Sequence, residues 1–246
     1  MGTTSNSNHN MEIKHKKITV QELVDLYENI RFIFSDSYKI VASYGYDDNK
    51  DCRNVLYKLL IEAAQTNVIL FHLIGEHFGN LKIWEKQNFI SEQQKEEFLR
   101  NRLGFIISDL RENLFVNVFL RFENFIKLIS DSQNLTGEKI NKLSKDLIDK
   151  LGLDQDYKNL IDLLTHIRNT IHTEGFHTRD DKTITYKGKS FELKKDHPAT
   201  FYNEDFLHFL IEEINSFFLE IINSNNVKSI SFIEHTFSGI THTYEE

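Results

Sequence analysis

The chain has 246 residues and a formal net charge of −8, with 40% hydrophobic and 27% charged residues. That balance belongs to an ordinary globular protein with ample length for a core, and excludes a disordered or membrane-embedded chain. Ten glycines and one proline leave few chain breakers, favouring long helices over a many-stranded β fold.

The single Cys52 permits neither an intramolecular disulfide nor a thiolate zinc cage, and it points to a reducing cytoplasm. No GxGxxG, P-loop, GxSxG or HExxH can be written. Catalysis therefore has to proceed without a glycine phosphate cradle, a nucleophile elbow or a zincin helix. No apolar run approaches the ~20 residues of a bilayer span, and the N-terminus lacks the order of a signal peptide.

In chain order, residues 1–17 are polar and read as a flexible tail. Residues 18–90 form an N-terminal helical region. Thr19-Val-Gln-Glu22 is a capping box that opens a first helix, with Val20, Leu23, Val24, Tyr27, Ile30 and Phe34 at helical spacing. After a break near 43–48, a second helix is predicted from about Asp51 to His77. Ser91-Glu-Gln-Gln94 is a second capping box and starts a helical stretch reaching about Asp131. Unbroken, that helix would be roughly 60 Å long, against a radius of gyration of ~18 Å for a compact chain of this size. A kink at Gly104 or a protruding arm is expected. From Leu114 to Ile129 it is apolar almost all round, except that Asn117, Arg121 and Asn124 form a narrow polar stripe. Such a helix is central and mostly buried.

A shorter helix follows Leu135-Thr-Gly137 and runs to about Lys150. The next begins near Asp154, carries Leu160, Ile161, Leu164, Ile167 and Ile171 on its apolar side, and should stop at Gly175. The period then changes from 3.6 to 2 over Thr183–Leu193. This predicts a β-hairpin in which Ile184 and Tyr186 face Phe191 and Leu193 across Lys187-Gly188. Pro198 precedes a last helix with Leu207, Leu210, Ile211, Ile214, Phe217, Phe218 and Ile221 on one stripe. Residues 224–246 form a C-terminal tail without assignment.

The densest polar cluster on an apolar helix is Thr165–His177. Arg168 and His172 are i and i+4, so their side chains meet on one helix face. Arginine can grip a phosphate bidentately, and histidine titrates near neutrality and can carry protons. With Asn169 as a neutral hydrogen-bonding neighbour, this is a kit for metal-free RNA cleavage. A base takes the 2′-hydroxyl proton, the phosphorus is attacked, and a cation stabilises the added charge. The same residues near a helix C-terminus also complement the macrodipole, and His166 and His177 can be half-buried structural groups. Glu123 among phenylalanines either pairs with Arg168 or Arg121 or lies part-exposed on the polar stripe. His172 and His177 lack a third convergent ligand, so no metal site is assigned. Lys187 and Lys189 belong to a basic hairpin whose lysines protect sheet edges or, as the alternative, guide RNA phosphates.

Arg168-Asn169-Thr-Ile-His172, late in a helix and followed by Gly175 and a hairpin, resembles the RN…H signature of the HEPN superfamily, in its abortive-infection-like branch. The helix carrying Phe122-Glu123-Asn124-Phe125 is similar to the long helix that packs on the signature helix there. The resemblance covers residues 91–223 and implies an all-α, HEPN-like bundle with long antiparallel helices and one small β-hairpin. It further implies a cytoplasmic homodimer acting as a metal-independent endoribonuclease, as an antiphage-defence or toxin effector, without cofactor or membrane. RNA is the implied partner, with an antitoxin or activator as a second. The roles it implies are catalysis for Arg168, His172 and Asn169 and support for Glu123 and His177. The alternative is a non-catalytic HEPN-like module that binds RNA or a protein. Three residues separate arginine from histidine here, whereas active members usually have four to six.

Overall fold

The computed structural model describes residues 20–79, 89–173, 176–199 and 201–235. They form a mostly α-helical fold with two small antiparallel β-pairs. The helices are α1 (Val20–Ala42), α2 (Cys52–Gly79), α3 (Glu92–Ser132), α4 (Ile140–Leu151), α5 (Tyr157–His172), α6 (Glu204–Asn223) and the single turn α7 (Asn225–Lys228). Among these residues no helix is long and apolar enough to cross a membrane. The expected Thr19 cap and the Gly175 stop lie outside the described residues.

Helix directions follow from cross-helix contacts. Tyr27 stacks near Phe71, and Lys58 lies over Tyr38, so α1 and α2 run antiparallel. Tyr44 donates to Asn223, while Tyr27 senses the charge of Glu204, so α1 and α6 run parallel. Arg111 pairs with Glu204, and Phe125 packs edge-on to Phe218, so α3 is parallel to α6. The buried apolar residues make one cluster from Leu23 to Ile233. Residues 20–79 therefore share a core with the helices that follow them.

The helix α3 is continuous through Gly104. Ser91 accepts from the Gln94 amide, as its capping box requires, while the Gln94 side chain accepts from Ile90 rather than from Ser91. No residue between Glu92 and Asp109 is buried; Leu110 is the first. The N-terminal half of α3 is thus an arm, which resolves the conflict between its length and a compact body. Beyond it, Leu114, Phe115, Val118, Phe119, Phe122, Phe125, Ile126 and Ile129 are buried, Val116 and Leu128 are partly buried, and Leu120 is 47% exposed.

The hairpin forms in the expected register. β2 (Lys182–Tyr186) pairs with β3 (Lys189–Leu193), Ile184 opposite Phe191, and Ile184, Tyr186, Phe191 and Leu193 are buried. Lys187 and Gly188 both have positive φ, 45° and 73°, the signature of a type I′ turn. A second pair, β1 (Phe176–His177) with β4 (His197–Pro198), ties the ends of this segment together. All seven apolar residues expected on the last helix are buried, and Asn203 caps it by accepting from the Phe206 amide.

The N-terminus of α2 is fastened to residues 227–235 by a fully buried ion pair. Arg53 donates through Nε and Nη2 to the two Asp51 carboxylate oxygens at 2.8 and 2.6 Å. Its Nη1 bonds the carbonyls of Val227 and Ile230, and its guanidinium lies 3.3 Å from the Tyr46 ring centre. Asp51 in turn accepts from the Ile233 amide, so each charge is fully partnered.

Candidate functional site

Along α5, Leu160, Ile161, Leu163, Leu164 and Ile167 turn inward. At 100° per residue this leaves Asp162, Thr165, Arg168, Asn169 and His172 on one outward stripe. His172 is exposed and the Arg168 side chain is 38% exposed. The two therefore stand together, one turn apart, on an accessible face.

Arg168 is held from α3. Its Nε lies 4.0 Å from Glu123 Oε1, and its guanidinium carbon is 5.7 Å from the Phe119 ring centre. This is a loose ion pair that aims the guanidinium and leaves donors for a phosphate. Glu123 is not part of the stripe of Asn117, Arg121 and Asn124; it projects from the other side of α3. Asn169 is half-buried, and its Nδ2 has no hydrogen-bond partner. That nitrogen is itself enclosed, so the donor is closed to solvent in this arrangement.

His177 does not join that stripe. It is buried, its Nε2 lies 3.1 Å from the Asp180 carbonyl, and its ring centre is 5.4 Å from that of His166. Burial, followed by the charges of Lys182, His177 and Arg179, pushes the His166 imidazole down to about 4. His166 is thus a neutral core group behind the exposed face.

The lysines of the hairpin turn lie elsewhere. Lys187 donates its backbone amide to Asp156, at the start of α5, and its Nζ is 2.6 Å from Glu213 Oε2. Twelve residues of helix separate Asp156 from Arg168, about 18 Å along the axis. Lys189 Nζ sits 3.9 Å over the Phe209 ring. The positive charges nearer the Arg168 end are Lys145 and Lys182, at 2.7 and 3.7 Å from the Asp162 carboxylate. Burial acts to raise the Asp162 carboxyl, but hydrogen bonds from Lys145 and Asn141 outweigh it and hold the group below its ordinary value.

Sequence reasoning did not reach the carboxylates of α6. Glu213 accepts from Tyr186 as well as pairing with Lys187, and Glu220 accepts from Tyr157, both phenol bonds at 2.6 Å. Desolvation and the adjacent carboxylate raise both phenols. The only signal was that Glu213 and Glu220 are seven apart on a helix that is otherwise apolar on that side. Among the described residues no three histidine, cysteine or carboxylate side chains gather as a metal site.

No family model matches the chain, and no curated protein or solved structure matches it either.

Proposed function

We propose that the chain is a metal-independent endoribonuclease of HEPN type, acting as an antiphage-defence or toxin effector, with RNA as its substrate and a second copy completing its cleft. The observation that carries this reading is the joint exposure of Arg168 and His172 on one face of α5. Arg168, steadied by Glu123, meets the scissile phosphate and offsets the charge that builds on its oxygens. His172 takes the 2′-hydroxyl proton or supplies one to the leaving 5′-oxygen. Asn169, half-buried beside them on the same stripe, orients the phosphate or ribose. The exposed Leu120 and Phe176, at 47% each, offer apolar surface for a second subunit. An antitoxin or activator would act by masking or aligning this face.

The test incubates the dimeric protein with mixed RNA in EDTA, beside His172→Ala and Arg168→Ala. Cleavage leaving cyclic phosphate ends is expected, with His172→Ala reducing it by about 10²–10⁴-fold at unchanged melting temperature. If the parent at high concentration retains RNA without product, and retention weakens steeply with salt, the ribonuclease reading fails and the binding module replaces it.

A further inference from the structure

The stripe of Asn117 and Arg121 plays no part in the proposed cleavage, and it faces α2. Because α2 is antiparallel to α1 while α3 is parallel to α6 and hence to α1, α2 and α3 run antiparallel. Two rows with the same i, i+4, i+8 spacing then oppose each other: Lys58, Glu62 and Thr66 on α2, and Arg121, Asn117 and Asn113 on α3. Between them is a cleft of about 590 Å³, within the range of small-molecule sites. Eight residues of helix make it about 12 Å long.

Its chemistry is ordered along that length. At one end stand two cations. Arg121 makes no ion pair among the described residues, and its Nε is buried without a hydrogen-bond partner. Lys58 Nζ is held by Asp48 and Asn49. Midway is the exposed Glu62 carboxylate. At the far end Asn67 lines the cleft but is 97% buried; its Nδ2 donates to Ala63 and its Oδ1 is enclosed. Asn117 donates to Asn113, and both residues line the cleft with the Asn117 oxygen and the Asn113 amide nitrogen unused in that bond. Val55, Leu59 and Ala63 supply an apolar floor.

We infer that the cleft between α2 and α3 binds a nucleoside monophosphate, with the phosphate at Arg121 and the base edge at Asn113 and Asn117. A guanidinium without an ion-pair partner suits a phosphate oxygen. A carboxylate one turn further along can accept from ribose hydroxyls, as acidic residues do in dinucleotide sites. Side-chain amides match the paired donors and acceptors of a base edge, and the apolar floor accepts the ring face. The spacing from cations through carboxylate to amides follows the order phosphate, ribose, base. This site lies on the opposite side of α3 from Glu123 and Arg168, so it stands whether or not the chain cleaves RNA.

Calorimetric titration with AMP, GMP, CMP and UMP, beside adenosine and inorganic phosphate, tests it. At least one monophosphate should bind saturably at one site per chain, at least tenfold more tightly than adenosine or phosphate alone. Arg121→Gln should weaken that binding at least tenfold, and Thr66→Trp, at an exposed position in the cleft, should abolish it without changing the melting temperature. His172→Ala should bind as the parent does. No saturable binding of any monophosphate at millimolar concentration overturns the inference. So does binding that Thr66→Trp leaves intact, or binding of inorganic phosphate as tight as that of the nucleotide.

Discussion

Replacing Arg53 by methionine should be among the most damaging single changes in this chain. Both side chains of the Asp51–Arg53 pair are 0% exposed. The Arg53→Met change would therefore leave the Asp51 carboxylate buried, with only the backbone amides of Ile233 and of position 53 as donors. Breaking one side of such a pair costs about 3–5 kcal/mol, because the stranded charge keeps its desolvation penalty. The carbonyls of Val227 and Ile230 lose their guanidinium donor at the same time. For a chain of this length about 1 kcal/mol corresponds to roughly 2–4 °C in melting temperature, so the loss is on the order of 10 °C. Urea titration followed by circular dichroism at pH 7 reads the change directly. The double variant Asp51→Asn/Arg53→Met removes the stranded charge and should recover more than about 1 kcal/mol relative to additivity. Hydrogen exchange should localise the loosening to residues 227–235. An Arg53→Met cost below about 1 kcal/mol, or a strictly additive double variant, would refute the reasoning.

Three further outcomes follow from the same packing. His166 has its pKa lowered from 6.5 to about 4 in the fold, so between those values the unfolded chain binds a proton that the folded chain refuses. Stability is therefore full above about pH 6.5 and falls as pH drops toward 4, with His235, also lowered by burial and then by Arg121, acting in the same sense. His166→Phe should flatten the slope of the urea midpoint between pH 7 and pH 5, and an unchanged slope would exclude this origin. Cys52 is fully buried, and desolvation raises its thiol well above the usual range. It should resist maleimide in the native protein and react at once in 6 M guanidinium, whereas rapid native labelling would contradict its placement. Gly188 has φ +73°, and a Cβ there meets no atom, so Gly188→Ala should cost about 1 kcal/mol of backbone strain alone, read as a urea midpoint shift.

Much of the fold was legible because its signals are local. The apolar run from Leu114 to Ile129, the stripe from Leu207 to Ile221 and the alternation across Lys187-Gly188 each express a period that backbone geometry alone imposes. These features predicted a buried central helix, a one-faced last helix and a hairpin in its observed register. The i, i+4 spacing of Arg168 and His172 likewise placed them on one helix face before any tertiary contact was known.

What local pattern could not carry was pairing at a distance. Asp51 meets Ile233 across 182 positions, and no periodicity marks two such residues as partners. That contact, with the cluster running from Leu23 to Ile233, is what brings α1 and the segment after α6 into the core. Lys187 looked like a free cation until the fold set Glu213 beside it, and His177 looked like a neighbour of His172 until β1 turned it inward toward His166. The polar stripe on α3 was visible as sequence, but only the antiparallel approach of α2 set Lys58, Glu62 and Thr66 opposite it and made a cleft. The sequence by itself determined which residues share a face, because spacing along a helix or strand is a property of the backbone. The tertiary structure decided what each face meets, because charge compensation, burial and cavity shape arise only when distant segments are packed together.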